Sequence, residues 1–369
     1  MLGAVLVPAL IAALLGVSPH PAHAAKGMEI GLQDDPSFVT QYHLKRKQAL
    51  KLALKLHVTR LRVNIPWVSV VNHPHSYSRP RHRHYDFTSY DILYNRARKK
   101  HIKLQLCVSG FAPAWATGDH QVGGYKLKVS YFKEFVRAVV RHFKHHVDRY
   151  SIWNEPNYVA WLSPLSEAPQ LYRKMYVSAY HIIRSVDRRA KILIGETAPY
   201  GQSGRSTSPL RFLRAMVRGG GHLVADGYAH HPYDYHHPPD WPGPRNDNAA
   251  LNNISNLTRQ LDKLARKKQL TNPQGKPLDL YLTEYGYMAS GKYRKSDNAR
   301  AKFLPKAFQM ALDNPRVREM TEYLLAPPPP QSYYFDTSIV TSHGKLRKPF
   351  KTLAAWTSRQ AKHGRIAVP

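Results

Sequence analysis

The spacing of hydrophobic positions switches repeatedly between a period of two and a period near 3.6 along this chain. Thr59-Arg60-Leu61-Arg62-Val63-Asn64-Ile65 alternates apolar with polar, which is the period of a strand. Just upstream, Leu44, Leu50, Leu52, Leu54 and Leu56 recur among lysines and arginines with helical spacing. Short apolar runs predict further strands at 28–32, 102–108, 147–152, 191–195, 227–230, 278–282 and 323–325. Helical patterns lie between them at 87–100, 131–145, 171–186, 210–217, 251–267 and 301–312, and a last one covers 352–360. Strands that alternate with helices pair in parallel, and eight such units favour closure into a single (β/α)8 TIM barrel. No Gly-x-Gly-x-x-Gly or phosphate loop follows the first strand, so an open nucleotide-binding sheet lacks support. The long irregular segments, 70–86, 232–248 and 288–298, all follow strands. A barrel carries its functional loops on that face.

Two of the predicted strands run into a glutamate. Glu155 stands in Trp153-Asn154-Glu155-Pro156 after strand 4, and Glu284 stands in Thr283-Glu284-Tyr285-Gly286 after strand 7. Pro156 cannot continue a sheet ladder and biases Glu155 toward an extended, strand-terminal conformation. Gly286 lets the chain turn away directly after Glu284. Carboxyls at the same end of two strands of one barrel converge, and glycoside hydrolysis needs two convergent carboxyls. Asn154 adds an amide that can bind a sugar hydroxyl beside the reacting carbon.

Trp-Asn-Glu-Pro followed by a late Thr-Glu-Tyr-Gly resembles glycoside hydrolase clan A, whose members share the (β/α)8 barrel. The resemblance runs over nearly the whole chain beyond the first residues. It implies that Glu155 is the acid/base and Glu284 the nucleophile of a retaining β-glycosidase working by double displacement on an oligo- or polysaccharide. It also implies a substrate-binding set. Arg62 matches an arginine near the nucleophile, where a positive charge favours the anionic carboxylate. His231 and Tyr233, in His231-Pro232-Tyr233, match a histidine that lines the cleft and a tyrosine that hydrogen-bonds the nucleophile. His230 competes with His231, because one residue of register decides which of them points inward. Trp115 and Trp161 resemble cleft aromatics, with Trp67 a further candidate; flat rings bind the apolar faces of sugars. The chain departs from the clan at strand 8, where a tryptophan commonly lies under the sugar. Leu324-Leu325-Ala326 and Pro327 to Pro330 occupy that place, and Tyr333, Tyr334 and Phe335 follow as substitutes.

Charge and the first residues add the setting. Met1 to Ala24 carries no Asp, Glu, Lys or Arg, is apolar from Leu2 to Val17, and ends in Ala22-His23-Ala24. This reads as a secretory signal peptide at 1–24, with a retained anchor as the alternative, and leaves 25–369 as one catalytic domain. Extracellular or wall-associated localisation follows. The 55 Lys and Arg against 24 Asp and Glu give a net charge of +31. Such a surface attracts an anionic cell-wall polymer or an acidic glycan, although basic residues spread along the whole chain equally suit a general surface property. Cys107 lies inside a predicted strand and reads as a buried thiol. His236 and His237 extend the histidine cluster, yet no metal motif accompanies them, and neither metal nor cofactor is implied. Two other classes remain beside the hydrolase. One is a catalytically silent carbohydrate- or wall-binding barrel, and the other is a basic nucleic-acid binder without a recognised motif.

Overall fold

Eight parallel strands close on themselves: β1 (Glu29–Gln33), β2 (Arg60–Pro66), β3 (Lys103–Ser109), β4 (Arg149–Ile152), β5 (Lys191–Thr197), β6 (Gly227–His230), β7 (Leu280–Tyr285) and β8 (Val317–Tyr323), with β8 pairing back onto β1. The structure, a computed structural model, describes residues 27–330 and 335–369. The leader expected at 1–24, and Tyr333 and Tyr334, lie outside the described residues. Among the described residues, eight helices of nine residues or more follow the strands: α1 (Arg46–Lys55), α2 (Thr88–Arg98), α3 (Val129–His142), α4 (Ala168–Val186), α5 (Pro209–Val217), α6 (Ser255–Arg266), α7 (Asp297–Asp313) and α8 (Lys348–Lys362). No helix among the described residues is long and apolar enough to cross a membrane.

The alternation read in β2 splits its side chains between two buried environments. Leu61, Val63 and Ile65 are wholly buried toward the helix layer. Arg60 and Arg62, two residues apart, share the other side, which is the barrel lumen. Helix α3 shows why the outer layer packs. Its buried side chains, Phe132, Phe135, Val136, Val139 and Val140, repeat at three- and four-residue spacing and form one stripe. Phe135 stacks flat on Trp67 at 5.2 Å.

The N-terminal end of the lumen is filled by ions. Arg60 reaches Glu29 at 2.8 Å and Asp148 at 2.7 Å, while Arg149 reaches Glu29 at 2.6 Å and pairs with the fully buried Glu319. Arg149 also lies over the Tyr281 ring, 4.5 Å from its centroid. Burial alone would push Glu29 up, but Arg149 and Arg60 outweigh it and hold the carboxyl at about 2.

This network explains the one strand that the apolar pattern misplaces. The final strand was expected at 323–325 but spans Val317–Tyr323. Its sequence, Val-Arg-Glu-Met-Thr-Glu-Tyr, shows no apolar run, because Glu319 and Thr321 turn into the polar lumen and hydrogen-bond each other at 2.8 Å. The more hydrophobic Leu324, Leu325 and Ala326 lie past the strand and are buried there.

Candidate active site

The C-terminal end of the lumen gathers Arg62, Asn154, Glu155, His231, Tyr233 and Glu284 from four different strands or the loops directly after them. A further carboxylate, Glu196, joins them unannounced by any motif.

Glu284 lies inside β7, one residue from its end, and the strand aims it into the lumen. Arg62 Nη1 donates to its Oε1 at 2.6 Å, and the Tyr233 hydroxyl donates to its Oε2 at 3.1 Å. Both oxygens are therefore oriented. Gly286 serves closeness rather than a turn: a Cβ there would sit 2.3 Å from the carbonyl oxygen of Tyr323.

Glu155 is not the extended strand-terminal residue that Pro156 suggested. Strand β4 ends at Ile152, and the backbone passes through positive φ at Trp153 (63°) and again at Glu155 (37°). Non-glycine residues in such conformations cost of order 1–3 kcal/mol and persist only where surroundings fix them. Here the Trp153 N–H donates to Val108 at 2.9 Å, and the Trp153 indole donates to the Trp161 carbonyl at 2.9 Å. The Glu155 N–H donates to the Glu196 carbonyl, also at 2.9 Å. Asn157 then clamps the loop, its side-chain NH2 donating to the carbonyls of Ala198 and Thr207 at 3.0 and 2.8 Å. Tertiary hydrogen bonds thus override the local bias of the proline.

Glu196 enters through a β-bulge. Gly195 has φ of 114° and Glu196 has φ of 50°, and the pairing of β5 with β6 slips between Gly195 and Thr197. A bulge of this kind re-aims one side chain. It swings Glu196 onto Arg62 at 3.0 Å, onto the Thr283 hydroxyl at 2.6 Å and onto His231 at 2.9 Å. Burial would raise the Glu196 pKa, but Arg62 first and His231 next hold it far below the usual carboxylate range.

His231 is the hub. Its Nε2 meets Glu196 at 2.9 Å, and its Nδ1 meets Glu155 at 3.0 Å and Glu284 at 3.6 Å. A ring that faces carboxyl groups with both nitrogens is favoured as the imidazolium, which donates from both. Burial works against that charge, but Glu284, Glu155 and Glu196 together raise the group to about 9. His230 is excluded from this role. Its nitrogens are taken by the Thr197 hydroxyl at 2.8 Å and the Ala249 carbonyl at 2.6 Å, and burial pushes it down to about 3.

Solvent reaches only part of this cluster. The side chains of Glu155 and Glu284 keep 15% and 10% of their exposure, whereas Glu196, Arg62 and His231 keep none. The two exposed glutamates are therefore the ones that can touch a ligand. Both lie on His231 Nδ1, so their facing oxygens are separated by no more than the sum of 3.0 and 3.6 Å. That bound admits the ~5–5.5 Å of retaining pairs and reaches only the lower edge of the ~6.5–9.5 Å of inverting ones. Asn154 accepts from Arg62 Nη2 at 2.8 Å, which leaves its NH2 available.

The expected aromatics separate. Trp115 is 1% exposed and meets Trp67 edge-on at 5.4 Å, and Trp67 is itself fully buried. Both are core residues and offer no ring face to a sugar. The helical stripe of α3 explains this, since it needs large apolar partners under the loops. Trp161 is half-buried and stacks with Phe111 at 5.0 Å, beside the Glu155 loop. At the end of β8, Tyr323 and Phe335 meet at 5.8 Å, and Phe335 also packs edge-on against Tyr233 at 5.1 Å. These two rings stand where the strand-8 tryptophan was missed. Cys107 is buried, its thiol 3.0 Å from the Trp153 carbonyl, and burial pushes it up to about 12. His237 is taken by Asp234 at 3.1 Å, and no group of three or more His, Cys, Asp or Glu side chains among the described residues is arranged to hold a metal ion.

Glu196 had one visible signal in the sequence: an ionisable residue after Gly195 at the end of an apolar strand, the same placement as Glu284. Gln33, which accepts from Arg62, and Asp35 carried no comparable signal. Burial, opposed by Arg62, raises Asp35 to about 6.

The family model described as Glycosyl hydrolase family 1 matches residues 29–203. No curated protein matches the chain. Among solved structures it resembles a family 39 glycoside hydrolase from the gut symbiont Bacteroides cellulosilyticus WH2, with 18% identity and a TM-score of 0.65 over 90% of this chain and 64% of that one. The chain thus spans less than two thirds of that protein. A monomeric beta-xylosidase from Caulobacter crescentus CB15 has 16% identity and a TM-score of 0.61, over 90% and 69% of the two chains. Native xylanase 10B from Thermotoga maritima has 15% identity and a TM-score of 0.60, over 91% and 97%. At these identities the structural likeness concerns the barrel.

Proposed function

We propose that the chain is a member of glycoside hydrolase clan A and a secreted, retaining β-glycosidase that cleaves an oligo- or polysaccharide with Glu284 and Glu155. The observation that carries this reading is the pair of solvent-reaching glutamates held by one histidine at a spacing that suits double displacement. A carboxylate of Glu284, oriented by Arg62 and Tyr233, attacks the anomeric carbon and forms a glycosyl ester. Glu155 gives its proton to the departing glycosidic oxygen. It then takes a proton from water as that water attacks the ester and releases Glu284. Asn154 donates to a hydroxyl beside the anomeric carbon, and Tyr323 with Phe335 form the apolar floor.

The test is NMR of the first product formed from aryl β-glycosides. The β-anomer should appear first. Initial α-anomer would overturn retention, and no hydrolysis across the panel would favour the binding-only barrel. Secretion rests on the apolar, uncharged 1–24 segment. N-terminal sequencing of protein recovered outside the cell should begin at Ala25, and a start at Met1 would leave the segment as an anchor. The basic surface should draw anionic wall polymers or acidic glycans in a salt-dependent manner.

A further inference from the structure

A run of rings leads from the nucleophile to the surface. Tyr233, which touches Glu284, stacks on Tyr235 at 5.6 Å, and Tyr235 stacks on Tyr293 at 6.0 Å. Tyr293 meets His236 at 4.8 Å. His236 neighbours His237 at 5.9 Å, and His237 stacks on Trp241 at 4.8 Å with the planes 16° apart. Two of these rings face water: Trp241 is 50% exposed and Tyr293 is 39% exposed. Single exposed rings are ordinary on a surface, but these two are joined through His236 and His237 into one aromatic patch. Neither is loosely held. Asp234 accepts from the His237 backbone N–H and pairs with its ring, and His237 in turn covers one face of the Trp241 indole, so the other face is presented to solvent.

The same rim is one-sided in charge. It is made by the loop between β6 and α6 and the loop between β7 and α7. The acids of the first loop are all engaged: Asp234 with His237 and Asn252, Asp240 with Lys306, and Asp247 with Arg214. The second loop supplies Gly291-Lys292-Tyr293-Arg294-Lys295. Lys292 sits 5.7 Å from the Tyr293 ring centroid, and Lys295 donates to the His236 carbonyl at 3.0 Å. Among the described residues, none of Lys292, Arg294 and Lys295 has a carboxylate partner. Rings suit the apolar faces of sugars, and unpaired cations beside them suit the anionic groups those sugars carry.

Building on the glycosidase reading, we propose that this rim is a binding subsite for an anionic polysaccharide, with Trp241 and Tyr293 stacking on sugar units and Lys292 and Arg294 pairing with their carboxylate or sulfate groups. The ring path places the subsite on the nucleophile side of the cleft, so one chain can occupy both. The net charge of +31 then has a local use in addition to its long-range one.

A protein this basic binds any polyanion to some degree, so the test compares variants of matched charge. Retardation in native gels containing polygalacturonate, dextran sulfate, single-stranded DNA or neutral hydroxyethylcellulose is measured at physiological salt. The α-linkages of polygalacturonate spare it from a β-glycosidase, so the readout does not depend on turnover or on the catalytic assignment. Trp241→Ala, which removes no charge, and K292Q/R294Q should each weaken retention roughly fivefold or more, as expected for losing a ring contact or two desolvated ion pairs. K47Q/K51Q removes the same charge from the exposed face of α1 and should change little. Loss confined to polygalacturonate assigns a uronate chain, and loss confined to dextran sulfate assigns a sulfated one. Equal loss in both charge variants, no loss in Trp241→Ala, or the same loss on DNA would overturn the subsite. Aryl glycoside turnover should be unchanged in Trp241→Ala throughout.

Discussion

Arg60 and Arg62 stand two residues apart on β2 and anchor two buried ion networks at opposite ends of one lumen. At the N-terminal end, Arg60, Arg149 and Lys103 face Glu29, Asp148 and Glu319, so cations and carboxyls are matched. At the C-terminal end, Arg62 and His231 face Glu155, Glu196 and Glu284, and the network is one cation short. The backbone differs in the same sense. Register shifts touch both networks, at Glu319 and at Gly195, but only the C-terminal one carries non-glycine residues at positive φ, namely Trp153, Glu155 and Glu196. A balanced network without such residues is a structural plug. An unbalanced one, held in strained backbone and open to water at two carboxyls, is built to receive positive charge. In the proposed mechanism that charge is the acid proton on Glu155 and then the oxocarbenium-like sugar.

If this division is right, substitutions at the two ends should fail in different ways. The largest effect belongs to the nucleophile. Glu284→Ala should lower turnover by roughly four orders of magnitude or more on every glycoside while the thermal midpoint moves little, because the site loses one of three clustered carboxylates. Glu155→Ala should spare substrates with activated aryl leaving groups, which need little protonation. Azide should restore turnover in both and yield an α-glycosyl azide with the Glu284 variant and a β-glycosyl azide with the Glu155 variant. Identical azide products would mean the two roles are misassigned.

At the other end the failure should be structural. Arg149→Met takes the nearer arginine from the fully buried Glu319, leaving only Arg60 at 4.0 Å, and removes one of the two arginines on Glu29. Breaking a buried ion pair by deleting one partner costs about 3–5 kcal/mol. Denaturant unfolding should register that loss, and the folded fraction should keep its turnover number. A variant that stays stable but loses activity would erase the distinction between plug and site.

The candidate site was more legible in the sequence than the lumen that carries it. The two glutamates, Arg62, His231 and Tyr233 were legible because each follows or lies in a recognisable strand. The fold was legible because helix and strand periods alternate eight times. Three features were not, and each has a physical cause. Strand β8 lacks an apolar run because half of its alternation points into a polar lumen. Glu196 reaches the site through a bulge, which is a tertiary slip in register that no local pattern encodes. Trp115 looks like a cleft aromatic by position, yet it is consumed by packing on Trp67, and exposure cannot be read from a residue's place in the sequence.

The finest test of the comparison is pH, because the two networks should act differently on the two limbs of the stability profile. Glu29 is held at about 2 against an ordinary value of 4.5, the opposing effect of burial being outweighed by Arg149 and Arg60. A depressed carboxyl contributes stability that is present above its unfolded pKa and is lost as pH falls toward the folded one. The N-terminal network should therefore contribute to the loss of stability from about pH 4.5 down to about 2, alongside Glu196, which Arg62 and His231 hold below the usual range. His231 is raised to about 9 from 6.5, its burial being outweighed by Glu284, Glu155 and Glu196. A raised histidine contributes stability that is complete below its unfolded pKa and is lost as pH rises through the folded one. The C-terminal network should therefore weaken between about pH 6.5 and 9. Deprotonation there also frees Glu155 and Glu196 from their shared donor, so the turnover number should fall over the same alkaline range. Unfolding free energy measured across pH for the wild type, His231→Gln and Arg149→Met separates the limbs. Arg149→Met should flatten the acid slope and leave the alkaline slope in place, and His231→Gln should flatten the alkaline slope. If Arg149→Met alters both slopes equally, the two networks are coupled through the lumen and the division between plug and site does not hold.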